Sequence, residues 1–571
     1  MRELIKNDVL LCTGCNRCIR VCPAEGANIA YKKENEIKIK VDYNQCIVCG
    51  SCIDVCQHGS RDYYDDTEQF LSDLEAGVSI SMFAAPANRT NGENWERLLT
   101  WLRQKGVKKI YDVSLGADIC TWAYIRYIQK ETPQSVITQP CPAIVNYILM
   151  YNHALLPYLA PIHSPMLCTA IYMKKYENIN DKIAALSPCI AKSHEFEATH
   201  YVSYNVTLKK LYEYIKKNKI RLPQNETGFD HMESSLGCLY SMPGGLKENV
   251  ELYIGKTLRI DKSEGQQLVY KVLNEFSKKD EKYLPNIFDV LNCVEGCNLG
   301  TGCIHERDIF EINTIMDKER KRVFKSHDKV DFTKMYKEYD RVLKLTDFIR
   351  EYIPLDTRSY VASNKQIEEA FERLEKKTEA DRKINCSACG YDTCLNMAKK
   401  IACGLNVPDN CIRKINNDVK IEHNAVLDLS ATNLKNLKRI LEYISKIRGL
   451  SNEIIKSISN VNTTIKQYND MAKEIDKIAM QINLISLNAS IEAARAGQAG
   501  KAFGVIAEAI RGLANSSKET VSETGQITKQ ATDSIKAINV VVDQISAEIE
   551  NAFQNVTDIS EKTESILAKN E

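Results

Sequence analysis

Cys12, Cys15, Cys18 and Cys22 stand at spacings of three, three and four residues, and Cys46, Cys49, Cys52 and Cys56 repeat the pattern. Thiolates are soft ligands suited to iron–sulfur clusters, zinc or copper(I). A run of this kind gives three ligands to one 4Fe–4S cluster and its fourth cysteine to the neighbouring cluster. The spacing therefore assigns Cys12, Cys15, Cys18 and Cys56 to one cluster, and Cys22, Cys46, Cys49 and Cys52 to the other. Structural zinc sites rarely repeat such an eight-cysteine pattern. Two clusters held this close suit electron transfer.

Two further sets follow. Asn292-Cys-Val-Glu-Gly-Cys-Asn-Leu-Gly-Thr-Gly-Cys303 sets Cys293 and Cys297 among glycines, which let the backbone pass close to a large inorganic body. Two cysteines complete no site, so partners must come from elsewhere. Pro140-Cys141-Pro142 follows the strand-like Ser135-Val-Ile-Thr138, and Pro188-Cys189 follows Lys182-Ile-Ala-Ala-Leu186. These supply two more thiols from separate loops. Later, Cys386-x-x-Cys389-Gly-x-x-x-Cys394 is joined by Cys411 after a helix-like segment. Four cysteines at this spacing fit one 4Fe–4S cubane; a structural zinc site with four thiolate ligands is the alternative.

The 21 cysteines of this 571-residue chain are unevenly placed: eight precede residue 57, eight lie between 120 and 303, five between 386 and 411, and none follow. In a long chain without a secretory leader this reads as metal ligation rather than disulfides. The N-terminus has no apolar core for a signal peptide, and no apolar run approaches the roughly 18 residues that span a bilayer. A cytoplasmic location without a membrane partner is expected. Net charge of +1 gives no electrostatic case for nucleic acid.

The fold class expected is multidomain. Residues 1–62 form an α+β two-cluster domain. Residues 63–375 form an α/β domain with a helical linker, since the strand-like 78–85 and 108–113 alternate with amphipathic 95–103. Ligands in such a fold sit in the loops that follow strands. After a charged helical stretch (365–382), residues 376–417 form a small Fe–S module. Residues 418–571 form a long antiparallel α-helical coiled-coil hairpin. Its first seam runs through Ile447, Ser451, Ile454, Ile458, Val461, Ile465, Tyr468, Ala472, Ile475, Ala479 and Ile482, at alternating spacings of four and three. A second seam runs from Ile535 through Val542 to Ile559, and Gly497 and Gly500 permit the turn between arms of about ten heptads. Heptads alone would fit a structural stalk.

The first segment resembles bacterial two-cluster ferredoxins, with Gln57 where a second proline is usual. Thr138–Pro142, Ser187–Glu195 and Asn292–Cys303 resemble the three cysteine signatures of iron-only (FeFe) hydrogenases. Gly237–Gly245 resembles that family's glycine-rich segment between the second and third. The resemblance implies that Cys141, Cys189, Cys293 and Cys297 hold a 4Fe–4S cluster. It implies that Cys297 also bridges to a two-iron subsite carrying CO, cyanide and a dithiolate with a central amine, the whole being an H-cluster. Lys192 would contact a cyanide and Glu195 would lie close to the cluster. With the ferredoxin pair and the 386–411 module, this makes three 4Fe–4S clusters plus an H-cluster.

The departures from that family concern proton transfer. Pro140 stands where a relay cysteine is usual, Ala123 and Tyr124 where a pair of glutamates is usual, and Ser187 replaces a methionine. A positioned proton donor contributes typically 10²–10⁴-fold in rate, so slow hydrogen turnover is implied. These losses resemble the sensory branch of the family. Cys120, Cys168, Cys238 and Cys303 read first as small buried hydrophobes, with Cys120 and Cys303 second as alternative proton groups, and Cys403 reads as a spare of the third module. His163, His194 and His231 read as structural.

Residues 376–417 resemble a 4Fe–4S module of ferredoxin-like electron-transfer and carbon-monoxide-metabolism proteins. Asn483–Glu508 resembles the signalling tip of methyl-accepting chemotaxis receptors, which implies binding of a histidine kinase and its coupling adaptor. Ile482, Glu492, Arg495, Phe503 and Val505 or Ile506 are the candidate tip contacts. A homodimer through the coiled coil is implied, and no run of paired Glu/Gln marks methylation sites. The combined expectation is a hydrogen (or redox) sensor reporting to a kinase. A competent ferredoxin-linked hydrogenase, or a redox or oxygen sensor holding cubanes alone, are the alternatives.

Overall fold

The structure, a computed structural model, describes residues 3–92, 94–231, 235–327 and 329–569. It divides into two units, Met1–Ile415 and Asn416–Glu571.

The first unit opens with four short strands, Ile5–Asn7 (β1), Asn28–Lys33 (β2), Glu36–Val41 (β3) and Arg61–Tyr63 (β4). β1 pairs with β4 and β2 with β3, both antiparallel. Helices Arg17–Arg20 and Ser51–Asp54 each carry one cysteine of a run, Cys18 and Cys52, and the other cysteines lie in the loops on either side. Seven more strands follow: Ile80–Ala84 (β5), Ile110–Asp112 (β6), Val136–Ile137 (β7), Lys182–Ser187 (β8), Tyr204–Thr207 (β9), Ile260–Glu264 (β10) and Ile287–Leu291 (β11). They make two parallel sheets, ordered β6-β5-β8-β9 and β10-β11-β7. Every residue of β5 and β11 is buried, as expected where helices cover both faces of a parallel sheet. The amphipathic segment forms helix Trp95–Gln104, which buries Leu98, Leu99 and Leu102.

After helices Ile309–Ser326 and Lys329–Val342, an extended strap returns toward the N-terminal ribbons. Arg350 N donates to Pro161 O (3.1 Å), Leu355 N to Leu149 O (2.8 Å), and the Tyr360 ring lies against Gly26. The charged stretch expected as one helix over 365–382 is two, Asn364–Arg373 and Glu379–Arg382. Glu375 takes a left-handed φ of 57°, and Thr378 opens a new capping box with Asp381, whose side chains satisfy the N–H groups of a fresh helix start. Helix Cys394–Ala402 packs on Asn364–Arg373 through Ile367, Phe371, Met397 and Ile401.

The second unit is a helical hairpin. Helix Ile412–Arg495 runs into it, Gly497–Gly500 turns the chain, and helix Lys501–Ala568 returns. Buried Ile444, Ser451, Ile458, Ala479, Ser486 and Ala493 fall on one seven-residue repeat. Ala507, Ala514, Thr528, Ile535 and Val542 fall on its counterpart. Cross-arm pairs Ser451–Ser546 (3.2 Å), Asn469–Thr528 (2.9 Å) and Lys438–Glu564 (3.3 Å) are nearly equidistant from the turn, which fixes the antiparallel register. Among the described residues no helix is long and apolar enough to cross a membrane.

Candidate metal centre

Cys141 lies just beyond β7, Cys189 beyond β8, and Cys293 and Cys297 beyond β11, so all four stand at carboxyl ends of parallel strands. That is the face where open α/β sheets bind ligands. One cavity is lined by all four, together with Lys192, Pro140 and Ser241. Ala87, Val113, Ala117, Pro142, Met166 and Leu291 make most of the remaining wall apolar. Burial pushes the Cys189 thiol up to about 12, with the neighbouring Cys141 adding to the rise. Burial also raises Cys141, Cys293 and Cys297, and charge repulsion among these thiols raises the last two further. Four thiolates cannot crowd a dry cavity without a compensating cation, which a metal cluster provides.

The loop bearing Cys293 and Cys297 is held by glycine. Gly296 has a φ of 86°, and a Cβ there would lie 2.5 Å from Ser241 O. Gly302 N donates to Pro188 O at 3.0 Å, locking this loop onto the one that carries Cys189. Ser187 Oγ accepts from Cys189 N (3.1 Å), so the serine that replaces methionine shapes the ligand loop.

Lys192 and Glu195 share the first turn of helix Lys192–Thr199, with side chains 6% and 4% exposed. Lys192 Nζ donates to Glu195 Oε2 (2.6 Å), Ser164 Oγ (2.9 Å) and Pro140 O (3.3 Å). Arg350 on the strap reaches Glu195 Oε1 at 3.2 Å, a partner no local pattern announced. Pro140 occupies the cavity wall with nothing to titrate. Ala123 and Tyr124 are fully buried, and the Tyr124 hydroxyl donates to Gln139 Oε1 and accepts from Gln139 N. Tyr240 lines the cavity and its hydroxyl pairs with Thr121 Oγ1 at 2.6 Å. Neither Tyr240 nor Ser241 was a candidate from sequence, although both lie within the glycine-rich 237–245 segment.

The ferredoxin-type cysteines gather in two groups. After the larger effect of burial, Cys49 and Cys46 raise Cys22, Cys49 raises Cys46, and Cys46, Cys49 and Cys22 raise Cys52, while Cys12 and Cys15 do the same to Cys18. Cys56 follows helix Ser51–Asp54 and is half-buried. The group with Cys49 is the one beside the cavity. Asn292 Nδ2 donates to Cys49 O (3.3 Å), Thr301 Oγ1 to Asp54 Oδ2 (2.9 Å) and Asn146 Nδ2 to Ile47 O (3.2 Å).

In the third module Cys389 neighbours Cys411 and Cys386, and Cys394 and Cys411 share its small core. Cys403 stands apart beside Lys400 and Glu25. Among the described residues no three His, Cys, Asp or Glu side chains meet as ligands of a single ion. Cys120 and Cys168 both donate to His163 O, Cys303 donates to Cys297 O, and Cys238 lies beside Arg89. His163 is lowered to about 4, by burial first and then by Arg350. His231 stacks on Tyr111, and His194 Nδ1 lies 3.4 Å from Asn146 Nδ2. At the hairpin turn, Phe503 and Val505 are 72% and 71% exposed and Arg495 pairs with Glu492 at 3.4 Å. Ile482 and Ile506 are exposed as well.

Four segments of the chain match known families. Residues 78–301 match the iron only hydrogenase large subunit, C-terminal domain, and residues 4–57 a 4Fe-4S dicluster domain. Residues 383–413 match an Fe-S cluster family, and residues 450–570 the methyl-accepting chemotaxis protein (MCP) signalling domain. The chain is therefore a fusion of an iron-only-hydrogenase-type domain, with its ferredoxin and Fe–S modules, to a chemoreceptor-type signalling hairpin.

Two Bacillus subtilis proteins named as sensory transducers are similar, one 30% identical over 25% of this chain and 25% of its own. The other is 43% identical over 14% of this chain and 33% of its own. The chain thus spans a third or less of the length of these relatives. The Arabidopsis thaliana protein NAR1 is 23% identical over 30% of this chain and 43% of its own. A solved FeFe-hydrogenase from Chlamydomonas reinhardtii aligns with 51% of this chain and 99% of its own, at TM-score 0.41 and 14% identity.

Proposed function

We propose that this protein is a cytoplasmic sensor of hydrogen, or of the redox state hydrogen sets, reporting through its hairpin to a chemotaxis-type histidine kinase and coupling adaptor. The observation that carries this reading is a four-thiol cavity with Pro140 in its wall where the resembled hydrogenases have a relay cysteine. Cys141, Cys189, Cys293 and Cys297 would hold a 4Fe–4S cluster, with Cys297 as the bridge to a two-iron group. The residues fit such a group: four thiols converge with Lys192, and Ser241 Oγ is buried in the wall without a protein hydrogen-bond partner. The two-iron group, when bound, supplies the binding and splitting of hydrogen.

The protein's own side chains supply the rest. Lys192 presents a fixed cation held by Glu195 and Ser164, suited to an anionic ligand. The apolar wall excludes water. Pro140, Ala123 and the Gln139-bound Tyr124 offer no acid or thiol to carry protons away, so turnover stays 10²–10⁴-fold below a relay-equipped site. Slow turnover suits a detector, which needs occupancy more than flux. Ile447, Ile454, Val461, Tyr468, Ile475 and Ile482 form a second apolar stripe that remains 37–52% exposed on the single hairpin. Such a stripe supports pairing with a second copy of the chain.

Infrared spectroscopy of protein loaded with the two-iron group tests the site: CO and cyanide bands that shift under hydrogen are expected. Their absence would remove the hydrogen reading. Equal kinase activity under hydrogen and argon would remove the signalling reading.

A further inference from the structure

In sequence the 386–411 module follows the hydrogenase-type domain, yet the fold seats it on the ferredoxin ribbons. Asn16 and Asn410, 6% and 7% exposed, exchange a reciprocal pair of side-chain hydrogen bonds at 2.7 Å. Arg20 Nη2 donates to Ser387 O (2.7 Å), and Ala30 N to Leu405 O (3.1 Å). Lys32 pairs with Asp409 (2.7 Å) and Lys400 with Glu25. Gly390, at a φ of 91°, places its Cα so close that an added Cβ would lie 3.2–3.4 Å from Ile19, Asn16 and Arg20. Tyr391 lies near both Cys389 and Cys22.

The residues that make this contact are chain neighbours of the cysteines. Ser387, Gly390 and Asn410 adjoin Cys386, Cys389 and Cys411, and Asn16 adjoins Cys15. The cavity adjoins the group of Cys22, Cys46, Cys49 and Cys52, and the 386–411 set adjoins the ferredoxin-type thiols at two places, near Cys22 through Tyr391 and beside Cys15 through Asn16.

Cys411 has a second role. It takes the N-cap position of helix Ile412–Arg495, with φ −88° and ψ 109°, and its carbonyl accepts from Ile415 N at 3.0 Å. A helix N-terminus carries partial positive charge and is stabilised by negative charge placed there.

We propose that the 386–411 module is the terminal electron station of the chain, fed across the Asn16–Asn410 contact, and that the charge it receives acts on the first turn of the signalling helix. The inference rests on the cysteine groups holding 4Fe–4S clusters. It does not require that hydrogen be the electron source. The step is a single electron passing from a reduced ferredoxin-type cluster, which is oxidised, to the module's cluster, which is reduced; no bond breaks and no proton moves. A low-potential donor such as dithionite can supply the electron.

The test uses the full chain reconstituted anaerobically with iron and sulfide and reduced stepwise with dithionite. Electron paramagnetic resonance should show the module's signal broadened by spin coupling to the ferredoxin-type clusters. Cys389→Ala should remove that signal and the iron of one cubane. Asn410→Ala should keep the iron and weaken the coupling. Hydrogen exchange read at the amides of the first helical turns, from Ile415 onward, should slow by about two- to fivefold on reduction, and Cys389→Ala should abolish the difference. A magnetically isolated module signal in the unaltered protein would overturn the relay. Exchange unchanged by reduction would overturn the action on the helix. A missing hydrogen response with these dithionite results intact would sink the hydrogen-sensor reading alone.

Discussion

The Lys192–Glu195–Arg350 group allows the arrangement of the cavity wall to be tested by stability alone, on cluster-free protein. Glu195 is the shared anion: Lys192 lies 2.6 Å from one carboxylate oxygen and Arg350 3.2 Å from the other, and Ser164 Oγ lies 2.9 Å from the first. Glu195→Gln strands two cations whose side chains are 6% and 13% exposed. Breaking a buried pair from one side costs about 3–5 kcal/mol. Lys192→Met leaves Glu195 still served by Arg350 and Ser164, so the loss should be nearer the 1.5–3 kcal/mol of a hydrogen bond to a charged group. In the double variant Lys192 is no longer stranded, so it should be more stable than Glu195→Gln by about 1–2 kcal/mol; together with the cost of Lys192→Met this makes an interaction energy of about 2.5–5 kcal/mol, at the upper end for contacting residues or above it.

Intrinsic fluorescence suits the measurement because all three tryptophans, Trp95, Trp101 and Trp122, lie in the hydrogenase-type domain. Urea unfolding followed at tryptophan thus reports that domain in the presence of the others. With a slope of about 3 kcal/mol per molar urea, Glu195→Gln should lower the midpoint by at least about 1 M. If Lys192→Met cost as much as Glu195→Gln, or if the two losses simply added, Glu195 would not be the shared anion and the reasoning would fail.

Asp118 accepts from Ser235 N, Ser235 Oγ and Gly237 N, and burial lifts it to about 7. Because the folded state holds that proton more tightly than the unfolded state, stability should fall as pH rises from about 4 to about 7; the same titration on Asp118→Asn should be flatter. Gly296→Ala forces a side chain into a left-handed turn and against Ser241 O, so reconstituted protein should lose the iron of one cubane while the ferredoxin-type signals persist. Ile458 sits in the hairpin core with Ile535 and Val542, and Ile458→Ala should cost about 2–5 kcal/mol, read by helical circular dichroism during melting. Ile454→Glu with Ile475→Glu places charge on the exposed stripe and should convert a dimer to monomer by light scattering; an unaltered protein already monomeric would remove the stripe's assigned role.

Much of the architecture was readable in short-range pattern. The eight-cysteine run, the heptads and the Gly497–Gly500 turn are local statements, and their geometry follows from chain spacing over a few residues. The alternation of strand and helix in residues 78–113 likewise announced an α/β layered fold, because the period of the apolar pattern changes between strand and helix over a few residues. The break at Glu375 was missed because the charged composition of 365–382 continues unchanged through it, and the left-handed residue is not a glycine. Tyr240 and Ser241 were passed over because nothing in their neighbours distinguishes a cavity wall from a core.

Taken alone, the sequence determined that cysteines cluster in three regions of the chain and that its last quarter is a helical hairpin. Residues within a few positions of one another meet wherever the chain goes. Only the tertiary structure decided that Cys141, Cys189, Cys293 and Cys297 line one cavity, that Arg350 completes the Lys192–Glu195 pair, and that the 386–411 module sits against Asn16. These contacts join segments up to 394 positions apart. Their existence depends on strand order in two parallel sheets and on the path of one extended strap, neither of which any local spacing encodes.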